Sequence, residues 1–122
     1  MYEINPQSSV PTYEQIINLI LSQIINGLLD EGDKLPSIRQ FAQESGINPN
    51  TVTKAYRSLE AENIIQSISG KGTFVSKINQ PKITDMVLRD FDSSVKHALK
   101  SGIKKSELVK RIENMEETND KA

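Results

Sequence analysis

Asn50, Thr51, Thr53, Lys54 and Arg57 lie close together in one short stretch, and their side chains suit contact with a nucleic acid. An amide can bond an adenine edge in a bidentate way, a threonine can touch a thymine methyl or a phosphate, and cations neutralise phosphates. On a helix turning about 100° per residue, Asn50, Lys54, Arg57 and Ala61 fall opposite Val52, with Thr51 and Thr53 on the flanks. No carboxylate stands among these positions, and Glu60 and Glu62 fall elsewhere on the wheel. An ordinary solvated helix would present a similar face, so the neighbouring elements must decide between the two readings.

The residue types assign roles. Asn50 is the candidate for a base edge, and Thr53 for a thymine methyl or a phosphate. Thr51, Lys54 and Arg57 are candidates for backbone phosphates, the alternative for Thr51 being a local bond to its own helix N-terminus. Asn48 is explained as a helix cap, with any DNA contact additional. Ser37 is a cap first and a phosphate ligand second. Arg39 stands in the first turn of the preceding helix, where it either meets the DNA backbone or pairs with Glu44. Gly70 and Lys71 belong to a hairpin tip, Ser69-Gly70-Lys71-Gly72, that can approach DNA closely.

The elements that would position these groups are punctuated in the chain. Pro36 blocks continuation, and Ser37 with Gln40 forms a capping box for a helix whose apolar face is Ile38, Phe41 and Ala42. Gly46 ends it in a tight turn, and Ile47 fills the angle between helices. Asn48 as cap and Pro49 at the first helical position open the next helix, which buries Val52, Ala55, Tyr56 and Leu59. Asn63 suits a left-handed helix end. Ile64, Ile65 and Ile68, then Phe74 and Val75, bracket the glycine tip as a β-hairpin. A short helix, a turn, a second helix and a β-wing are what is needed to lay a helix in the major groove.

Upstream, residues 1–11 read as an extended arm, and Thr12 as the cap of a helix carrying Ile16, Ile17, Ile20, Leu21, Ile24 and Leu28, stopped by Gly27. Lys34-Leu35 suits a very short strand. Downstream, Asn79-Gln80-Pro81 reads as a linker. One long amphipathic helix is expected from Ile83 to Ser101, a shorter one from Lys104 to about Glu116, and a frayed end over 117–122. The fold class is therefore mainly α with a small β-wing (α+β). Residues 1–78 are expected to form the DNA-binding domain and 79–122 a two-helix dimerisation tail.

The long helix carries an apolar arc of Ile83, Val87, Leu88, Phe91, Val95, Ala98 and Leu99. The arc is too broad for one partner surface, so the helix is expected to pack both on its own domain and on a second copy of the chain, with Val87, Phe91, Val95 and Leu99 assigned to the second copy. The alternative is an intramolecular hairpin with the last helix. Two copies related by twofold symmetry would read half-sites about one helical turn apart on a pseudo-palindromic site.

Charge supports a localised patch. The 122 residues carry a net charge of −1. Residues 1–33 hold five acids and no Lys or Arg, whereas 34–77 hold six bases and three acids. Residues 78–122 hold nine bases and eight acids. The positive excess thus sits on the segment with the reading helix, favouring site-specific over indiscriminate binding.

Other chemistry finds little support. There is no cysteine, so neither a disulfide framework nor a thiolate metal site can form. His97 is the single histidine, and Asp90 and Asp92 fall on different helical faces, so no catalytic pair or His-pair metal site assembles. Gly70-Lys71-Gly72-Thr73 lacks the upstream glycine of a phosphate loop and leads into a strand-like run. The expectation is a chain that is not an enzyme and needs no cofactor or metal. No apolar run is long enough to span a bilayer and no signal-peptide pattern opens the chain, so a soluble cytoplasmic protein is expected, with no membrane partner.

The same residues resemble the GntR family of bacterial transcription regulators. The resemblance covers about residues 11–76: Pro11-Thr12-Tyr13-Glu14-Gln15-Ile16, Gly32-Asp33-Lys34-Leu35-Pro36-Ser37-Ile38-Arg39, Asn50-Thr51-Val52 and Gly70-Lys71-Gly72-Thr73-Phe74-Val75, in the family's order and spacing. It implies a winged helix-turn-helix, with Arg39, Asn50, Thr51, Thr53 and Gly70 at DNA-contact positions. Many members have an acid where Ile38 stands and an arginine where Pro49 and Thr53 stand, so a guanine-directed operator preference is not carried over. Asn48-Pro49-Asn50-Thr51-Val52 with a very short C-terminal region resembles the YtrA subfamily, which is small, dimeric and frequently linked to transporter operons. The resemblance implies a homodimeric repressor of a small operon, bound to double-stranded operator DNA. A small-molecule effector, if one acts on this chain, is expected at the interface between the two copies. The alternative is a winged helix whose third helix docks on another protein.

Overall fold

The computed structural model describes residues 3–117. The first two residues of the expected arm and residues 118–122 of the expected frayed end lie outside the described residues.

Helix α1, Thr12–Ile25, buries Ile16, Ile20, Leu21 and Ile24 at helical spacing. Thr12 does not cap it; Pro11 holds the cap position and contributes no side-chain bond. The arm does not run extended either. Gln15 Nε2 donates to the carbonyls of Asn5 and Val10, both at 2.9 Å, and Gln15 Oε1 accepts from Asn5 N at 2.8 Å. One amide side chain thus satisfies three backbone groups and folds the arm back onto α1. The helix ends before Leu28, which is 70% exposed and lies off the apolar stripe.

Strand β1, Lys34–Leu35, precedes α2, Ile38–Ser45, and α3, Pro49–Ala61. Strands β2, Ile65–Ile68, and β3, Gly72–Val75, complete an antiparallel sheet of order β1-β3-β2. Lys34 pairs with Phe74, Leu35 and Ser67 both with Thr73, and Ile65 with Val75. Ile16, Leu21, Val52, Leu59 and Ile65 lose essentially all solvent contact, each such burial contributing about 1.5–3 kcal/mol before entropy is counted. Helices α1, α2 and α3 with this sheet form a winged helix-turn-helix.

Beyond the wing, the expected linker is helical. Asn79 Oδ1 accepts from Lys82 N at 3.2 Å and opens α4, Gln80–Val87. Pro81 sits in its first turn, where a missing N–H costs nothing. Ile83 is 1% exposed and α4 packs on α1. Lys82 Nζ bonds the Glu62 carbonyl and pairs with its carboxylate at 3.7 Å.

The single long helix expected from Ile83 to Ser101 is two helices. Leu88 separates α4 from α5, Arg89–Lys100, its backbone at φ −88° and ψ 3°. Neither Gly nor Pro stands there, so residue type carries no sign of the break. Helix α6, Lys105–Glu113, follows. Two compact units result, one ending at Val87 and one starting at Leu88. In the second unit no residue of α5 or α6 is buried; Val95, Ala98 and Leu108 are half-buried, while Phe91, Leu99, Ile112 and Met115 are exposed. Among the described residues no helix is long and apolar enough to cross a membrane.

Candidate nucleic-acid interface

The start of α2 is set by Ser37, whose Oγ accepts from Gln40 N at 3.0 Å. This is half of a capping box: Gln40 Nε2 turns forward to Glu44 Oε2 at 3.1 Å. Gly46 ends α2 at φ 75°, a left-handed conformation that disfavours any residue with a Cβ. Ile47 then packs against the core. Asn48 Oδ1 accepts from Asn50 N at 2.8 Å, and Pro49 occupies the first helical position of α3.

Two aromatic rings brace the helices. Phe41 of α2 meets Tyr56 of α3 edge-to-face, centroids 6.1 Å apart. The buried Tyr56 hydroxyl donates to the Pro36 carbonyl at 2.7 Å, tying α3 to the segment that launches α2. The inner face of α3, Val52, Ala55, Tyr56 and Leu59, is wholly buried. Its outward face is fixed as a consequence.

Ser37, Arg39, Asn48, Asn50, Lys54, Arg57, Gly70 and Lys71 are exposed, and Thr51 and Thr53 are half-buried. Thr53 Oγ1 donates to the Pro49 carbonyl at 2.9 Å, which turns its hydroxyl back to its own helix. One open groove brings Arg39 beside Asn48 and Pro49 over an apolar floor of Ile38, Ala42 and Ile47. A second recess places Asn48 and Thr51 beside Ile4 and Pro6 of the folded arm.

The acids at the end of α3, Glu60 in its last turn and Glu62 at its C-cap, are drawn away from that face. Glu60 Oε2 accepts from Ser67 N of β2 at 3.1 Å, and Glu62 is held by Lys82. The outward groups that remain are amide, hydroxyl and cation, the combination that phosphates and base edges require.

Two contacts have no local signal in the sequence. Lys54 Nζ lies 3.9 Å from the centroid of the Tyr13 ring, a cation–π contact between α3 and α1. Lys34 of β1 runs along the wing: a Cβ placed on Gly72 would stand 2.8 Å from Lys34 Cε. At the tip, Lys71 N donates to the Ile68 carbonyl at 2.9 Å and Gly70 takes φ 75°, closing the turn that projects Lys71.

Of the residues assigned to a second copy, Val87 ends α4, whereas Phe91, Val95 and Leu99 lie on α5. Val87, Phe91 and Leu99 are exposed and Val95 is half-buried.

The family model for bacterial regulatory proteins, gntR family, matches residues 12–75. The HTH-type transcriptional repressor YtrA of Bacillus subtilis is 48% identical over 77 residues, which is 63% of this chain and 59% of that relative's own length. A GntR family transcriptional regulator from Listeria monocytogenes superposes with a TM-score of 0.74 at 29% identity, covering 90% of this chain and 99% of the other. AraR(DBD), solved in complex with operator ORR3, superposes with a TM-score of 0.53 at 29% identity, covering 60% of this chain and 88% of that one.

Proposed function

Because the chain belongs to the GntR family of bacterial regulatory proteins and is thereby a DNA-binding transcriptional regulator, we propose that it is a repressor acting as a homodimer on a pseudo-palindromic operator of a small operon, of the kind that encodes a transporter. The observation that carries this reading is the outward face of α3. Asn50, Lys54 and Arg57 are exposed while Val52, Ala55, Tyr56 and Leu59 opposite them are buried. Asn50 reads a base edge, Arg39, Thr51 and Arg57 hold phosphates, and Gly70 and Lys71 bring the wing to the flanking backbone. Ser37 and Asn48 fix the helix starts at this face through their caps.

Repression is supported by the relative named as a repressor, and the operator by the neighbour solved on one. The homodimer is supported by Phe91, Leu99, Ile112 and Met115, exposed large apolar side chains of the second unit. Chemistry at the site is not part of this reading, since its residues are arranged for binding.

Selecting bound fragments from a random DNA pool tests it. Enrichment of an inverted repeat, with half-sites about one helical turn apart, is the expected result. A pool that stays random at moderate salt overturns the reading in favour of a winged helix that docks on protein.

A further inference from the structure

We propose that Lys34, on the edge strand of the wing, is a phosphate-directed residue carried to the hairpin tip over Gly72; this rests on the operator-binding reading above.

Strand β1 pairs with β3 alone, Lys34 opposite Phe74 and Leu35 opposite Thr73. Residues alternate across a strand, and Leu35, Ile65 and Val75 are buried. Lys34, Phe74 and Gly72 therefore share the outward face. The Lys34 side chain leaves β1 and runs along that face toward the tip. An ideal Cβ on Gly72 would stand 2.8 Å from Lys34 Cε, 3.5 Å from Nζ and 3.8 Å from Cδ.

Gly72 thus does two things. Its φ of 124° is one that residues with a Cβ rarely adopt, and its bare Cα leaves the channel that the lysine stem fills. Lys34 is exposed, and a long cationic side chain keeps its head in water while its stem follows the surface, so the charge stands beside Gly72, which follows Gly70 and Lys71 in the tip. Among the described residues no carboxylate comes within ion-pairing distance of Lys34. A cation beside the glycine tip, with no carboxylate to neutralise it, fits the strand of phosphates flanking the groove that α3 enters. A phosphate contact of this kind positions the protein and carries no base information.

The test measures affinity for one selected DNA fragment as a function of salt, for the wild-type protein, Lys34→Met, Lys34→Gln and Lys34→Arg. Both neutral variants are expected to bind several-fold more weakly at low salt. Their plots of log affinity against log salt should be shallower by about 0.9, the slope of one lost phosphate contact. Lys34→Arg should restore the wild-type slope. The loss should be equal on fragments mutated at single base pairs. Unfolding midpoints confirm that a compared variant is folded, and the two neutral side chains guard against one of them failing to fold. A wild-type slope in folded Lys34→Met or Lys34→Gln overturns the assignment of Lys34 alone. A wild-type protein that retards no selected fragment removes the operator-binding reading, and this inference with it.

Discussion

The Lys54 ammonium rests 3.9 Å from the centre of the Tyr13 ring, joining the exposed face of α3 to the first turn of α1. Tyr13 is half-buried and Lys54 exposed, so the ring acts as a shelf on which the cation keeps its water on one side. A lysine otherwise samples many rotamers, and ordering it on binding costs entropy. Here part of that ordering precedes any ligand.

That contact should be measurable as a coupling. Tyr13→Leu, Lys54→Met and the double variant, compared by urea unfolding, are expected to show an interaction energy of about 0.5–1 kcal/mol, the range for an exposed cation–π pair. Tyr13→Phe keeps a ring and should retain most of it. Additive single effects would mean that the contact contributes nothing to the fold.

Tyr56→Phe removes the hydroxyl that bonds the Pro36 carbonyl and leaves that carbonyl without its donor. The expected loss is about 1–3 kcal/mol, read as a lower denaturation midpoint with an unchanged dependence on denaturant concentration. The edge-to-face contact with Phe41 survives in the variant, so the helices should keep their arrangement. An unchanged midpoint would contradict a bracing role for the hydroxyl.

Phe91→Asp with Leu99→Asp places charge on two exposed positions of α5. Exposed substitutions cost an isolated chain little, within about 0.5 kcal/mol. If these side chains are covered by a second copy, sedimentation should show a shift from dimer to monomer with helix content retained. A dimer that persists would relocate the interface.

The reading head was largely legible in the sequence because its signals are local. Ser37 and Asn48 cap the helices they were expected to cap, Gly46 makes the left-handed turn between them, and Lys34-Leu35 forms the short strand. Each follows from a residue's own backbone preferences or from a partner two or three positions away. What escaped depends on groups brought together by packing. Asn5 and Gln15 fold the arm back, Tyr13 meets Lys54, and Lys34 lies over Gly72; none of these pairs has a spacing rule. The break at Leu88 escaped for a different reason. Apolar periodicity continues through it, and neither Gly nor Pro marks it.

The outward face of α3 is tested most directly by a double substitution, Asn50→Ala with Arg39→Ala, assayed by gel shift on a selected operator fragment. Both side chains are exposed and neither supplies the caps, so circular dichroism and sedimentation should match the wild type. Affinity is expected to fall by at least about tenfold, with the larger share from the lost base contact of Asn50. Wild-type affinity in a folded double variant would show that this face does not read DNA.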